Sequence, residues 1–372
     1  MPGSLLSASP VVFISAGEVS GDHHAAAVAR EIRARIPDVR LRGLGGPEMA
    51  AAGVTLLAGL EDLAVMGFLE VARRIPFFRD LRRRVFADLE ESGVDLVIPV
   101  DYPGFNLPLA TRAHSLGVPA LYFIAPQVWA WREGRAGRLA KTCRRVLTIL
   151  PFEDAILTRY GADSQFVGHP LIDEPDLAAG PATAHDDGPP LVGLFPGSRE
   201  QEVERILPVF AEAAERIARQ RPDVRFQIAR APHVDRHLYS DLPLPTGSAH
   251  DTRARATAAL TKSGTITLEL ALARVPMVVG YRTGRLTYAV AKRLVRVPSI
   301  SLVNLVANER VVPEFVQHAA TPDALASELL DLLDPGERRQ RMIAGFSRVR
   351  SRLGEPGCAA RVADHAVDLL AS

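Results

Sequence analysis

Two cysteines in 372 residues, Cys143 and Cys358, are too few and too far apart for a disulfide framework or a zinc cluster, and they point to a reducing compartment. Neither sign of charge prevails. The 44 basic residues face 43 acidic ones, a net of +1, so general nucleic-acid binding has no electrostatic basis. Aromatics make up only 6%. No run of about 18 apolar residues is present to span a membrane, and residues 1–10 have no basic segment ahead of an apolar core. No secretory signal is read, and a soluble, cytoplasmic chain is expected. The sequence has no Gly-x-Gly-x-x-Gly fingerprint, no Walker loop, no Gly-x-Ser-x-Gly elbow and no Asp-x-Asp pair. The last absence weakens any mechanism in which a divalent ion grips a nucleotide diphosphate. His233 and His237 stand four apart without the glutamate or third ligand of a zinc site, so neither a metal nor another cofactor is expected.

What is present is a globular composition, 47% hydrophobic and 23% charged, which excludes disorder, collagen and a simple coiled coil. The length suits two domains of about 150–200 residues. Val11-Val12-Phe13-Ile14 reads as a buried strand that breaks at Ser15-Ala16-Gly17, and a helix pattern follows over 22–36. Apolar runs at 95–100, 119–125 and 145–150 are each followed by a loop and a helical stretch. Such alternation predicts an α/β fold with a parallel sheet covered on both faces. Around 172–190 the chain turns rich in Pro, Ala, Gly and Asp without an apolar period, the best linker candidate. The pattern then restarts with a strand at Leu191-Val192-Gly193-Leu194-Phe195, a tight turn, a helix over 200–219 and strands at 224–229 and 276–280. The expected division is a first domain over 1–172, a linker over 173–187 and a second domain over 188–346. Two α/β halves imply a cleft, a common ligand site.

Three glycine turns fall just after expected strands: Gly17-Glu18-Val19-Ser20-Gly21-Asp22, Pro196-Gly197-Ser198-Arg199 and Ser263-Gly264-Thr265. Each would aim backbone N–H groups at a phosphate from a helix start, and Arg199 would add a charge-assisted contact. A plain strand-to-helix turn is the competing reading of each. Asp101 ends an apolar strand and would point into the crevice, where desolvation raises its basicity. It serves equally as a cap of the next helix, and Asn106 either orients it or closes the turn. Glu269, five residues past Gly264, can accept paired bonds from ribose hydroxyls or simply face solvent. Gln127, Trp129, Trp131 and Arg132 suit a sugar face or acyl chain, against ordinary core packing. A basic amphipathic stretch carries Phe68, Leu69, Ile75, Phe77, Phe78, Arg82 and Arg83, with Pro76 expected to break or kink it. It fits either an anionic membrane surface or a helix with a solvated basic face.

Taken together the motifs resemble the lipid-A-disaccharide synthase family of glycosyltransferases. The matching runs are Ser15-Ala-Gly-Glu-Val-Ser-Gly-Asp22, Gly46-Pro47 with Met49, Leu63-Ala-Val-Met-Gly67, Asp101-Tyr-Pro-Gly-Phe-Asn106, Pro126-Gln-Val-Trp-Ala-Trp-Arg132, Leu150-Pro-Phe-Glu153 and Phe166-Val-Gly-His169. In the second half they are Pro196-Gly-Ser-Arg199 with Glu202, Ser263-Gly-Thr265 with Leu268-Glu269, Pro276-Met-Val-Val-Gly-Tyr281 and Ala291-Lys-Arg293. Many relatives read Leu-Pro-Asn-Leu where this chain has Leu302-Val303-Asn304-Leu305, while Pro313-Glu314 and Gln317 are retained.

The resemblance implies a GT-B fold, two Rossmann-like domains with a cleft between them, and a tail over 347–372 that crosses back to the first. It implies an inverting, metal-independent transfer of 2,3-diacylglucosamine from its UDP derivative to 2,3-diacylglucosamine 1-phosphate (lipid X), giving lipid A disaccharide 1-phosphate and UDP. Asp101 matches the family's catalytic aspartate, with Glu18 as an alternate proton acceptor, and Arg199 its diphosphate-side arginine. The expected substrate contacts are Ser20, Gly21, Asn106, Gln127, Trp129, Arg132, His169, Gly197, Ser198, Ser263, Gly264, Thr265, Glu269, Asn304, Glu314 and Gln317. Acylated substrates give the basic amphipathic stretch a reason to touch the inner face of an anionic inner membrane, and a homodimer stays open. A UDP-sugar 2-epimerase and a non-catalytic sugar-nucleotide sensor remain the alternatives.

Overall fold

The structure, a computed structural model, describes residues 9–63, 68–129, 134–178, 188–240, 242–284, 288 and 298–372. Its strands are β1 (Val11–Ser15), β2 (Arg40–Leu44), β3 (Thr55–Ala58), β4 (Leu96–Pro99), β5 (Leu121–Phe123), β6 (Arg145–Thr148), β7 (Ser164–Phe166), β8 (Leu191–Phe195), β9 (Arg225–Ala229), β10 (Thr246–Gly247), β11 (Ala258–Thr261), β12 (Met277–Tyr281) and β13 (Glu314–Val316). The helices are α1 (Val19–Arg35), α2 (Pro47–Ala51), α3 (Leu60–Leu63), α4 (Phe68–Glu91), α5 (Pro103–Ser115), α6 (Gly134–Thr142), α7 (Glu153–Arg159), α8 (Pro175–Ala178), α9 (Glu200–Gln220), α10 (His237–Ser240), α11 (Ala249–Arg255), α12 (Thr265–Leu272), α13 (Leu302–Ala307), α14 (Pro322–Leu333), α15 (Glu337–Arg352) and α16 (Cys358–Leu370). The chain divides into two compact units, Met1–Pro170 with Glu355–Ser372, and Leu171–Gly354.

In the first unit, β3-β2-β1-β4 and β5-β6-β7 are parallel sheets joined by parallel bridges from Val97 to Ala120 and from Val100 to Phe123. Every residue of β1 is buried, as a central strand covered on both faces requires. The two-residue pleat sorts its side chains. Val12 and Ile14 join a core shared with α1 and α16, whereas Val11 and Phe13 join one shared with α4 and α5. Helix α4 runs through Pro76 without ending there. Leu81, Val85 and Leu89, four apart along one face, anchor it in the second core, and that burial outweighs the single backbone bond proline removes. Phe77 and Phe78 are half-buried against the same core, because the helical period carries them toward that face. Helix α16 contributes Cys358, Val362, Ala363, Ala366 and Leu369 to the first core. The Cys358 thiol donates to the Gly168 carbonyl at 3.2 Å, and Arg361 Nε to that of Val167 at 2.8 Å.

The second unit has one parallel sheet in the order β10-β9-β8-β11-β12-β13. Its first strand, β8, lies inside the sheet, and the winding reverses between β8 and β11, as it does between β1 and β4 in the first unit. At such switch points the two diverging loops leave a crevice at the carboxyl edge of the strands. Helix α9 packs on α14, and α12 on α15. The segment read as a linker opens as α8 within this unit, while 179–187 lie outside the described residues. Among the described residues no helix is long and apolar enough to cross a membrane.

Ile32, on α1, is fully buried in the first core. Ile32→Ala is expected to lower unfolding stability by about 2–5 kcal/mol in chemical denaturation, from lost transfer energy plus the cavity left behind.

Candidate active site

At the first unit's switch point the glycine turn after β1 faces the loop after β4. Val100 N donates to Ser15 O at 2.8 Å, and Asp101 N to Phe123 O at 3.0 Å. Asp101 and Tyr102 then take left-handed backbone angles, φ 45° and 47°. Side chains rarely adopt that conformation unless their surroundings impose it. Asn106, fully buried, supplies much of that constraint. Its amide nitrogen shares its protons among the carbonyls of Ser15 (3.1 Å), Val100 (3.1 Å) and Asp101 (2.8 Å), and its oxygen accepts from the Ser15 hydroxyl at 2.7 Å. Tyr122 OH donates to the Asp101 carbonyl at 2.7 Å. The reversal lays the Tyr102 ring over Gly17, where a Cβ would sit 2.3 Å from a ring carbon. Asn106 therefore grips the backbone of Asp101 rather than its carboxylate.

Burial, and then the nearby charge of Glu18, push the Asp101 carboxyl up to about 6, against a backbone hydrogen bond from Tyr102. Such a group is ionised at neutral pH yet basic enough to take a proton. A second carboxyl stands in the same neighbourhood. Glu153 is buried, accepts from Trp129 Nε1 at 2.9 Å and from Leu150 N at 3.2 Å, and is pushed up to about 7, mainly by burial. Trp129 thus spends its indole N–H on Glu153, and its ring meets Phe152 edge-on, centroids 5.1 Å apart. Burial, then His24, push His169 down to about 3, and burial, then His23, push His24 down to about 4, so both imidazoles are neutral at pH 7. Glu18, Ser20 and Gln127 are exposed and Gly21 is buried. Ala130, Trp131 and Arg132 lie outside the described residues, as do Met66, Gly67 and the Ala291-Lys292-Arg293 run; of Phe68, Leu69 and Ile75 only the backbone is described.

At the second unit's switch point the turn after β8 meets the loop after β11, where Lys262 N donates to Phe195 O at 2.9 Å. Arg199, exposed, is the residue from which α9 starts. The Ser198 amide is engaged by Glu202 Oε2 at 3.1 Å, and Glu202 Oε1 accepts from Lys262 Nζ at 3.1 Å. Gly264 begins α12, and Ser263 Oγ donates to Ile300 O at 2.5 Å. Thr265 is exposed in the first turn. Glu269 is half-buried and accepts from Arg253 Nη1 at 2.7 Å, while Arg253 also pairs with Asp176 of α8. Burial raises the Glu269 carboxyl and Arg253 opposes the rise. Asn304 and Glu314 turn inward. Asn304 bonds Val312 O and Glu314 through its nitrogen and the Val311 and Val312 amides through its oxygen. Glu314 also accepts from Ile300 N, Ser301 N and Ser301 Oγ. These bonds shape the loop at the start of α13. Gln317, with φ 55°, donates to Thr283 O at 3.2 Å.

A family model described as lipid-A-disaccharide synthetase matches residues 12–362. The chain belongs to this family. A lipid-A-disaccharide synthase from Nitrosococcus oceani is 40% identical over 360 residues, 93% of each chain. Among solved structures, the calicheamicin glycosyltransferase CalG4 matches with a TM-score of 0.61 at 16% identity, over 98% of this chain and 99% of its own. A UDP-GlcNAc 2-epimerase from Neisseria meningitidis, bound to UDP-GlcNAc, matches with a TM-score of 0.64 at 11% identity, over 97% and 98%. Those likenesses establish a GT-B architecture. Membership of the lipid-A-disaccharide synthase family establishes a glycosyltransferase of lipid A disaccharide synthesis.

The sequence points to Tyr102 and Glu153 only as members of motifs, and to Tyr122, Arg253 and Lys262 not at all as site residues. Lys262 carried a readable signal: it follows an apolar strand directly and precedes a glycine turn. The remaining contacts depend on pairings across the fold. Asn106→Ala is expected to leave the Val100 carbonyl and the Ser15 hydroxyl without the partner that Asn106 supplies. The cost in thermal or chemical unfolding is about 1–3 kcal/mol, the range for a buried polar group left unsatisfied, and turnover falls with it.

Proposed function

We propose that the chain transfers 2,3-diacylglucosamine from its UDP derivative to the 6-hydroxyl of 2,3-diacylglucosamine 1-phosphate, with inversion. The observation that carries this is Asp101: a carboxylate held in left-handed backbone at a switch point, its basicity raised by burial and Glu18. Asp101 takes the proton of the acceptor hydroxyl as that oxygen bonds to the anomeric carbon. The bond from that carbon to the diphosphate breaks on the opposite face, and its electron pair leaves on UDP. Arg199 and the start of α12 stabilise the departing charge, and Glu269, aimed by Arg253, receives the ribose hydroxyls. Ser20, Gly21, Gln127 and His169 are the groups assigned to the acceptor side. Asn106, Asn304 and Glu314 hold the loops that carry these groups.

The lipid-bearing substrates suit a peripheral position on the cytoplasmic face of an anionic membrane. Arg82 and Arg83, exposed on α4, support that placement, with the half-buried Phe77 and Phe78 beside them. The epimerase reading draws on the shared architecture, and release of UDP only when an acylated acceptor is present separates the two.

Asp101→Asn is expected to keep the fold and to lose about 10²–10⁴-fold in turnover, the usual worth of a positioned base. Near-normal rates would remove Asp101 from that role. Because the base must be unprotonated, kcat/KM in the parent should rise with pH and reach half its plateau near 6. Glu18 raises the Asp101 value, so Glu18→Gln should move this acid limb to lower pH while activity persists. Loss of activity at every pH in that variant would instead make Glu18 the base.

A further inference from the structure

Lys262 stands in an unusual electrostatic position. It leaves β11 directly beside the turn after β8, and its ammonium lies over the glycine that opens α12. A Cβ on Gly264 would be 3.2 Å from Lys262 Nζ and 3.3 Å from its Cε. The start of a helix carries partial positive charge from its unpaired N–H groups, so a cation there is disfavoured unless an anion joins it. Glu202 is that anion. Its Oε1 accepts from Lys262 Nζ at 3.1 Å and its Oε2 from the Ser198 amide at 3.1 Å. The carboxylate folds back so closely that a Cβ on Gly197 would lie 2.5 Å from Oε2. Lys262 and Glu202 side chains are only 16% and 14% exposed, so the pair is largely desolvated. One carboxylate therefore occupies a backbone amide and an ammonium, two donor types that bind phosphate oxygens.

We infer that Lys262 is a diphosphate-contacting residue of the donor site, and that Glu202 is the internal anion which holds Lys262 and the Ser198 amide until the diphosphate replaces it. The inference rests on the nucleotide reading of the second unit. In the absence of ligand, Glu202 balances the ammonium at the helix start. The incoming diphosphate brings more negative charge to the same donors, and like-charge repulsion drives the carboxylate off them. When the glycosyl bond breaks, Lys262 joins Arg199 in meeting the charge that develops on the leaving phosphate. After transfer, Glu202 competes for the same donors and favours release of UDP. The two side chains thus act with opposite sign on nucleotide affinity, although they form one ion pair.

The test is calorimetric binding of UDP and of uridine to the full chain carrying Lys262→Met, Glu202→Gln or both. Lys262→Met should raise the Kd for UDP by about 10- to 100-fold, the range set by loss of one charge-assisted hydrogen bond, and leave uridine binding as in the parent. Glu202→Gln should tighten UDP binding. The double variant has no unpaired buried charge, which keeps the comparison valid if Lys262→Met folds poorly, and should bind UDP more weakly than Glu202→Gln alone. UDP binding by Lys262→Met or the double variant as tight as that of its reference, or weakened binding in Glu202→Gln, would overturn the assignment. A parent chain that binds no UDP would remove the nucleotide reading itself, which separates the two failures.

Discussion

The first unit depends on one buried amide. Asn106 bonds across the ends of β1 and β4 and fixes the backbone of Asp101, so the strand edge and the left-handed reversal are one structure. Without a side chain able to donate and accept in the same plane, the Val100 carbonyl would lose its partner, and the carbonyls of Ser15 and Asp101 would keep only the Val100 amide and the Tyr122 hydroxyl. The reversal has two consequences for chemistry. It places the Tyr102 ring over Gly17, which explains why that turn has no room for a side chain, and it holds the Asp101 carboxyl where water is partly excluded. Basicity is thus a result of backbone geometry.

The two units share a winding and carry opposite charge at their switch points. The first gathers carboxyls there: Glu18, Asp101 and, nearby, Glu153, with burial and then like charge raising those of Asp101 and Glu153. The second gathers cations and helix starts, Arg199, Lys262 and α12, with Glu202 as an internal counter-anion. Accepting a proton and stabilising a departing phosphate need fields of opposite sign. Arg253 adds a link between Glu269 and Asp176, so the group assigned to the ribose is tied to α8, at the beginning of the second unit.

The α/β class was legible because its signals are local. Buried parallel strands read as unbroken apolar runs, and β8 spans the run Leu191 to Phe195 that the pattern defined. Helix α9 begins at Glu200 and ends within a residue of its expected limit. Pro76 read as a break or a kink because local rules weigh one missing backbone bond; the helix does not end there, since it answers to the core under Leu81, Val85 and Leu89. At the site, sequence could place Asp101 after a strand and Gly264 before a helix. It could not tell that the Asn106 side chain meets Ser15, 91 residues away, or that Arg253 meets Asp176 across 77. It could not tell that Asn304 and Glu314 would spend their polar atoms on each other and on the backbone around them.

Sequence by itself determined the α/β alternation, the most apolar strands with the helices that follow them, and the residue types at their ends, because apolar period and glycine turns act over a few neighbouring positions. Tertiary structure alone decided which of those end residues face one another, which are desolvated, and which already have an internal partner. Hydrogen bonds and charge effects depend on distance in space and on exclusion of water, and neither is a property of chain spacing.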